Sequence, residues 1–378
     1  MKVLVANIGS TSFKYRVFEM DDEQVLGEGR VERIGQPGGD CPDYDTAIRR
    51  CLATIDYPLD VVGFKAVHAG PLSGANLVDD RVLAAMEEFS FHAPAHNPPY
   101  IAAIRGFQHV LPSVPLAALL ETAFFDQVPE AATTYAVPYA WKEELGVRRY
   151  GFHGASHRAA SENVQKLLEK RDLRHISCHL GGSSSLAAVR NGVAIDSSFG
   201  MSPQSGLPHN NRTGDIDSFA ILFVMKRLGL GVDEMASILA TKSGLAGMSG
   251  TSGDMRDLEE AAQAGNARAK CAIDMFTRSI RHYIGAFWLE LGGLDVLTFS
   301  GGIGENSRAL RASVCAGLGG FGLEIDQKRN ESVRGQGVIS TDQSKVKVIV
   351  IPADEERIVA RASAALVSKS VKSGQTQS

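Results

Sequence analysis

The sequence predicts an α/β protein made of two related halves. Three observations carry the prediction. Short apolar runs of strand length alternate with segments of helical period. A strand–turn–strand unit at the start of the chain recurs in its middle. Three turns built of glycine, serine and asparagine each follow a strand.

The first apolar run is VLVA at residues 3–6, followed by the turn NIGSTS at 7–12. Residues 13–17 then alternate apolar and basic side chains, the period of a half-buried strand. In the second copy ISCHL at 176–180 is the strand, GGSSS at 181–185 the turn, and 186–189 the return strand. Asn191 and Gly192 supply a further hairpin turn. Aligning Asn7 with His179 sets Gly9 on Gly181 and Ser12 on Ser184. Two such units imply a duplicated fold with a cleft between lobes. Residues 35–45 read as a polar surface loop. A long helix is expected where Ile273, Phe276, Ile280, Tyr283, Ile284, Phe287 and Leu291 recur on one face. A strand at 295–299 runs into the loop SGGIGEN and then a polar helix from Ser307. Another at 346–351 leads through Pro352 to a helix rich in alanine and valine, and residues 368–378 are expected to be an irregular tail.

Composition narrows the function classes. There are 39 Lys+Arg against 43 Asp+Glu, so no excess of positive charge invites nucleic acid or an anionic membrane. No run of about 18 apolar residues exists to span a bilayer. Only four apolar residues follow Met1 and Lys2 before Asn7, too few for a secretory leader. The five cysteines are scattered without a CxxC pair, which argues for a reducing compartment and against a zinc site. A cytoplasmic globular protein is expected.

The three small-residue turns, 7–12, 181–185 and 301–306, let backbone N–H groups approach phosphate oxygens, with hydroxyls as further donors. None is a Walker A loop or a GxGxxG fingerprint. Together they point to a nucleotide phosphate held by a duplicated fold. Around them lie His68 in VHAG, His96 in HAPAHNPP where prolines fix a loop, His153 and His157 in YGFHGASH, and Arg212 in NNRTGD.

In order along the chain, NIGSTSFKY, VHAG, HAPAHNPP, TAF, YGFHGASH, CHLGGSSS, SGDMRDLEEA, GGIGENS and IPADEE resemble the acetate kinase family, collinearly from residue 1 to about 365. The resemblance implies the ribonuclease H-like ATPase fold of the sugar kinase, Hsp70 and actin superfamily. It implies lobes of 1–122 with 357–378 and of 123–356, hinged near 121–123 and 354–357 and closing on nucleotide. Reversible phosphoryl transfer between ATP and a short-chain carboxylate, with Mg2+ (or Mn2+), is the implied activity, in a homodimer.

By the same resemblance Asn7 and Glu355 hold the metal. Ser10, Ser12 and Lys14 meet the nucleotide, with His179, Leu180, Gly181, Gly182 and Ser183 around its phosphates. Asp254, Met255, Arg256 and Gly302, Ile303, Gly304, Glu305 and Asn306 lie on its adenosine side. His153 stabilises the transition state, Arg212 holds the moving phosphoryl group, and His96 and Glu121 complete the catalytic set. Lys65, Val67, Ala95, Phe152 and Pro203 face the acid. Several of these depart from the family pattern. Lys65 replaces an arginine and loses its bidentate fork. Glu121 replaces an aspartate and is one methylene longer. Gly182 and Ser183 replace an asparagine and a glycine, and Pro208 to Asn211 replace the usual run before the arginine. Ala95 replaces a leucine, which opens room for propionate, butyrate or a substituted acid. The departures leave two further readings, a catalytically impaired nucleotide-binding regulator and a donor such as pyrophosphate.

Overall fold

Strand β1 (Lys2–Ile8) is buried along its VLVA run because it lies inside a sheet, with β2 (Phe13–Glu19) on one side and β4 (Val61–Ala66) on the other. The computed structural model describes residues 1–9 and 11–375, the last five by backbone alone. It divides into two units, Met1–Asp126 with the chain from Asp354, and Gln127–Ala353.

The first unit adds β3 (Gln24–Val31), β5 (Ala75–Leu77) and β6 (Leu116–Leu120), giving the order β3-β2-β1-β4-β6-β5. Strands β1, β4 and β6 are parallel, while β2, β3 and β5 run against their neighbours. The second unit contains β7 (Arg174–Leu180), β8 (Ser184–Arg190), β9 (Val193–Ser197), β10 (Val296–Ser300), β11 (Gly337–Val338) and β12 (Lys347–Val350). Its order is β11-β12-β10-β7-β8-β9, with β7, β10 and β12 parallel and the others antiparallel. Strand for strand this is the same topology, so the duplication read from two small turns extends to a whole sheet.

The alignment of the turns needs one correction. Gly9 N donates to Ser12 O at 2.8 Å, and Gly181 N to Ser183 O at 3.2 Å. Ser12 therefore corresponds to Ser183, not Ser184, because the first turn is one residue longer. Ser10 lies outside the described residues. The second hairpin is as expected, with Asn191 at φ 57° and Gly192 at φ 86°, the left-handed pair a tight turn requires.

Three further expectations are revised. HNPP opens a helix, Asn97–Val110, rather than fixing a loop, since Pro98 and Pro99 occupy its first turn where no N–H is needed. GGIGEN is helical from Gly301 to Asn306. Gly301 at φ +75° turns the chain straight out of β10, and a Cβ there would sit 2.6 Å from Leu180 O. The C-terminal helix Glu355–Gln375 continues through most of the expected tail, which is rich in serine and lysine but holds no proline to stop it. The long helix Ala267–Glu290 buries Phe276, Ile280, Ile284 and Phe287 against the second sheet, as its period predicted. Among the described residues no helix is long and apolar enough to cross a membrane.

The C-terminal helix is tied to the first sheet through Glu23, in the β2–β3 turn. Arg361 donates to Glu23 from Nε at 2.5 Å and Nη2 at 2.7 Å, and Arg357 Nη1 donates to Glu23 Oε2 as well at 3.2 Å. The hydrogen bonds from Arg361 lead in holding the Glu23 carboxyl down from 4.5 to about 2. A depressed carboxyl contributes stability above its unfolded value and loses it as pH falls through the folded one. Glu23→Gln is expected to lower the unfolding free energy by about 1–2 kcal/mol at pH 7, after solvent screening. The gap should close between pH 4.5 and 2, measured by chemical denaturation at each pH.

Candidate active site

In the first unit the predicted residues gather at the carboxyl ends of the parallel strands, the ligand end of open α/β sheets. Asn7 is the last residue but one of β1 and Lys65 that of β4, Glu121 follows β6, and Glu355 opens the C-terminal helix. Lys65 Nζ donates to Glu355 Oε2. Burial pulls the Lys65 ammonium down, but the Glu355 and Glu121 carboxylates outweigh it and raise its pKa overall. Tyr100, from the 97–110 helix, accepts from Ile8 N at 3.3 Å and lies 3.5 Å from Asn7 Oδ1. Burial pushes its phenol to about 12, so it stays neutral. Sequence reasoning passed over Tyr100; its place three residues beyond Asn97, on the same helix face, is the signal that marks it.

Other first-unit candidates scatter. Val67 is buried and Ala95 exposed. His96 is the N-cap of its helix, and Asn97 beside it clamps His68 by accepting from its N–H at 3.3 Å and donating to its carbonyl at 2.7 Å. Lys14 is exposed in a depression of about 380 Å³ with Arg16, Arg30, Glu28 and Glu356.

The second unit holds a cavity of about 640 Å³, within the size range of ligand pockets. Its walls include Gly181, Gly182, Asp254, Met255, Arg256, Gly302, Ile303 and Asn306, all expected from the sequence. Asn210, Gly253, Glu259 and Ser307 join them unpredicted. Glu259 stands four residues after Met255 on the Met255–Gln263 helix, so helical spacing alone put it on the Met255 face. It accepts from the Ser307 hydroxyl at 2.5 Å. Asp254 caps that helix and binds Arg256 at 2.7 Å, and those bonds hold its carboxyl near 2. Leu180, Gly304 and Glu305 do not line the cavity. Leu180 and Gly304 pack in the core, and Glu305 accepts from Ala353 N at 3.1 Å.

Three successive serines assemble the rest. Ser183 Oγ accepts from Arg212 Nη1 at 3.2 Å, Ser184 N donates to His209 Nδ1 at 3.0 Å, and Ser185 Oγ lies 2.8 Å from His153 Nδ1. Arg212 also donates to Pro203 O at 3.1 Å, and Asn210 N to Gly182 O at 3.0 Å. Burial lowers the Arg212 pKa to about 10, which leaves it charged at neutral pH. Burial, aided by Arg212, drops His209 to about 3, so it is a neutral brace. His153 sits at φ 59°, left-handed, in front of the Gly154–Leu167 helix. Its ring lies 4.3 Å from that of His179, which is 2.7 Å from Ser156 Oγ. Phe152 is buried edge-on against Phe199.

A duplicated α/β fold that brings an arginine and a histidine to one small-residue turn fits a class, the ATP-using phosphotransferases. Comparison with known proteins narrows it. The acetokinase family model matches residues 38–361, and the chain belongs to that family. It is 41% identical to the acetate kinase of Desulforamulus reducens, over 97% of this chain and all of that one. It is 40% identical to the acetate kinase of Bacteroides fragilis, over 98% of this chain and 100% of the relative. Among solved structures, Porphyromonas gingivalis acetate kinase superposes with a TM-score of 0.87 at 37% identity, covering 97% of this chain and 99% of that one. A propionate kinase from Francisella tularensis gives 0.89 at 29%, covering 96% and 99%.

The Lys65–Glu355 pair makes a structural prediction of its own. Removing the ammonium takes a cation away from the buried Glu121 and the half-buried Glu355. Lys65→Met is expected to cost about 3 kcal/mol in urea denaturation; an unchanged midpoint would show that neither carboxylate depends on Lys65.

Proposed function

We propose that the protein phosphorylates a short-chain carboxylate, acetate or a larger homologue, with ATP, giving an acyl phosphate and ADP reversibly. The observation that carries the reading is the serine run 183–185, which ties Arg212 and His153 to one turn at the rim of the 640 Å³ cavity. In this reading the cavity takes the nucleotide. Gly181 and Gly182 adjoin its phosphates, and Asp254 to Arg256 with Gly302, Ile303 and Asn306 its adenosine end.

An oxygen of the ionised acid attacks the γ-phosphorus, and the bond to the β–γ bridging oxygen breaks, leaving ADP. The acceptor is already an anion at neutral pH, so no general base is needed. Alignment and charge neutralisation carry the catalysis. Arg212, charged in a partly desolvated setting, and His153, a donor on a fixed turn, supply that field. Lys65, Val67, Ala95, Phe152 and Pro203 are the acid-side residues of this reading, with His96 and Glu121 orienting. Asn7 and Glu355 would hold Mg2+, and their all-oxygen donor set suits a hard cation that keeps several waters. Bound there, the ion neutralises phosphate charge. Lys65, paired to Glu355, then orients that carboxylate.

Hydroxylamine trapping of acyl phosphate from ATP and acetate tests the reading. Arg212→Ala and His153→Ala are each expected to lower kcat at least about 100-fold. Nucleotide binding without trapped product for any acid would favour the regulator instead, and product from pyrophosphate alone would replace the donor. A larger acid is favoured by the exposed Ala95 and by the propionate kinase neighbour. Across acids of two to five carbons, kcat/KM is expected to peak at three or more; a peak at acetate discards the larger acid but not the kinase.

A homodimer accords with the Ser218–Leu228 helix, none of whose residues is buried although Phe219, Leu222, Phe223 and Leu228 are apolar. Sedimentation should find a dimer that Phe223→Asp converts to monomer. A reducing, cytoplasmic setting suits the five free cysteines.

A further inference from the structure

Behind His153 a line of polar groups runs into the core of the second unit. His153 Nδ1 lies 2.8 Å from Ser185 Oγ, Ser185 Oγ 2.8 Å from His157 Nε2, and His157 Nδ1 2.9 Å from Ser177 Oγ. Ser185, His157 and Ser177 are all fully buried.

The line can carry its protons in only two ways. A serine hydroxyl has one proton, so Ser185, set between two ring nitrogens, donates to one and accepts from the other. His157 is kept neutral, its pKa driven far down by burial and then by the neighbouring His179 and His175 imidazoles. It therefore has a single N–H to give. In the outward setting Ser177 donates to His157 Nδ1, His157 Nε2–H donates to Ser185, and Ser185 donates to His153 Nδ1. A neutral His153 must then carry its own proton on Nε2. In the inward setting every bond is reversed, and His153 gives Nδ1–H to Ser185.

Ser177 chooses between them. Among the described residues its hydroxyl oxygen has one hydrogen-bond partner, His157 Nδ1. In the outward setting the Ser177 proton is used. In the inward setting it is left buried without an acceptor, the costly outcome for a polar group away from water.

We propose that Ser185 and His157, with Ser177 as the source of direction, are positioning residues that hold His153 as the neutral tautomer protonated on Nε2. An imidazole of that form offers a donor to an anionic oxygen, whereas the other neutral tautomer turns a lone pair towards it. The use of that donor on a transferring phosphoryl group rests on the proposed kinase reading; the tautomer itself does not.

The test uses the full-length protein labelled with 15N-histidine, without ligand, in a long-range 1H–15N imidazole spectrum near pH 7.5. His153 is assigned by its loss in His153→Gln. The wild-type protein is expected to show His153 protonated on Nε2. Ser185→Ala is expected to give a mixture of both tautomers, with kcat for acyl phosphate reduced about tenfold and KM for ATP and acid within about twofold. Ser177→Ala, one link further away, should shift the same resonances less and lower kcat about threefold. A His153 that is protonated on Nδ1 or doubly protonated in the wild type overturns the proposal, as does a Ser185→Ala spectrum that does not change. A wild-type protein that makes no acyl phosphate yet shows the Nε2 tautomer sinks the kinase reading and leaves the relay standing.

Discussion

The second unit depends on one constraint: a cationic guanidinium and several imidazoles must be held in fixed directions with little water to help. The β7–β8 turn meets it with hydroxyl and backbone groups spaced one residue apart. Ser183, the last residue of the turn, and Ser185, in β8, serve Arg212 and His153. Between them the Ser184 backbone N–H serves His209. A neutral hydroxyl suits the task, since it satisfies a buried donor or acceptor without cancelling charge that the site needs elsewhere.

The first unit solves a different problem with opposite means. Its carboxylates Glu121 and Glu355 converge at the ends of β6 and the C-terminal helix, where like charges repel and burial penalises both. Lys65 at the end of β4 is the compensating charge. A lysine is a compact point charge and serves two acids without the planar match an arginine imposes. Glu355 and Glu121 in turn favour the charged form of Lys65.

Legibility followed the locality of each signal. The strands, the long helix and the Asn191-Gly192 turn were readable because period and turn chemistry act over a few residues. The duplication was readable from Asn7 and His179, which do end β1 and β7 in the same register. Its one-residue error at Ser12 arose because a loop length leaves no periodic trace. HNPP and GGIGEN misled for a related reason: proline and glycine mark loops, yet proline fits a helix's first turn and Gly301 turns the chain out of β10 straight into one. The Ser177–His157–Ser185 line escaped because partners 20 and 28 residues apart meet only once the sheet is assembled.

The departures from the family pattern acquire meaning at this level. Ser183, where a glycine is usual, is no mere loss of flexibility, because its hydroxyl accepts from Arg212. Gly182, where an asparagine is usual, keeps its carbonyl engaged by Asn210 N, so the loop around Arg212 remains stitched to the turn without the missing amide. A Cβ at Gly182 would meet nothing within 4 Å, and its φ is not left-handed. Removing the side chain therefore widened the cavity wall rather than relieving strain. Gly182 presents no side chain to the cavity, and its neighbour Ser183 places a hydroxyl on the arginine. The turn has moved its hydrogen bonding from the ligand side to the support side, which makes the orientation of Arg212 more a property of this chain and less a consequence of what binds beside it.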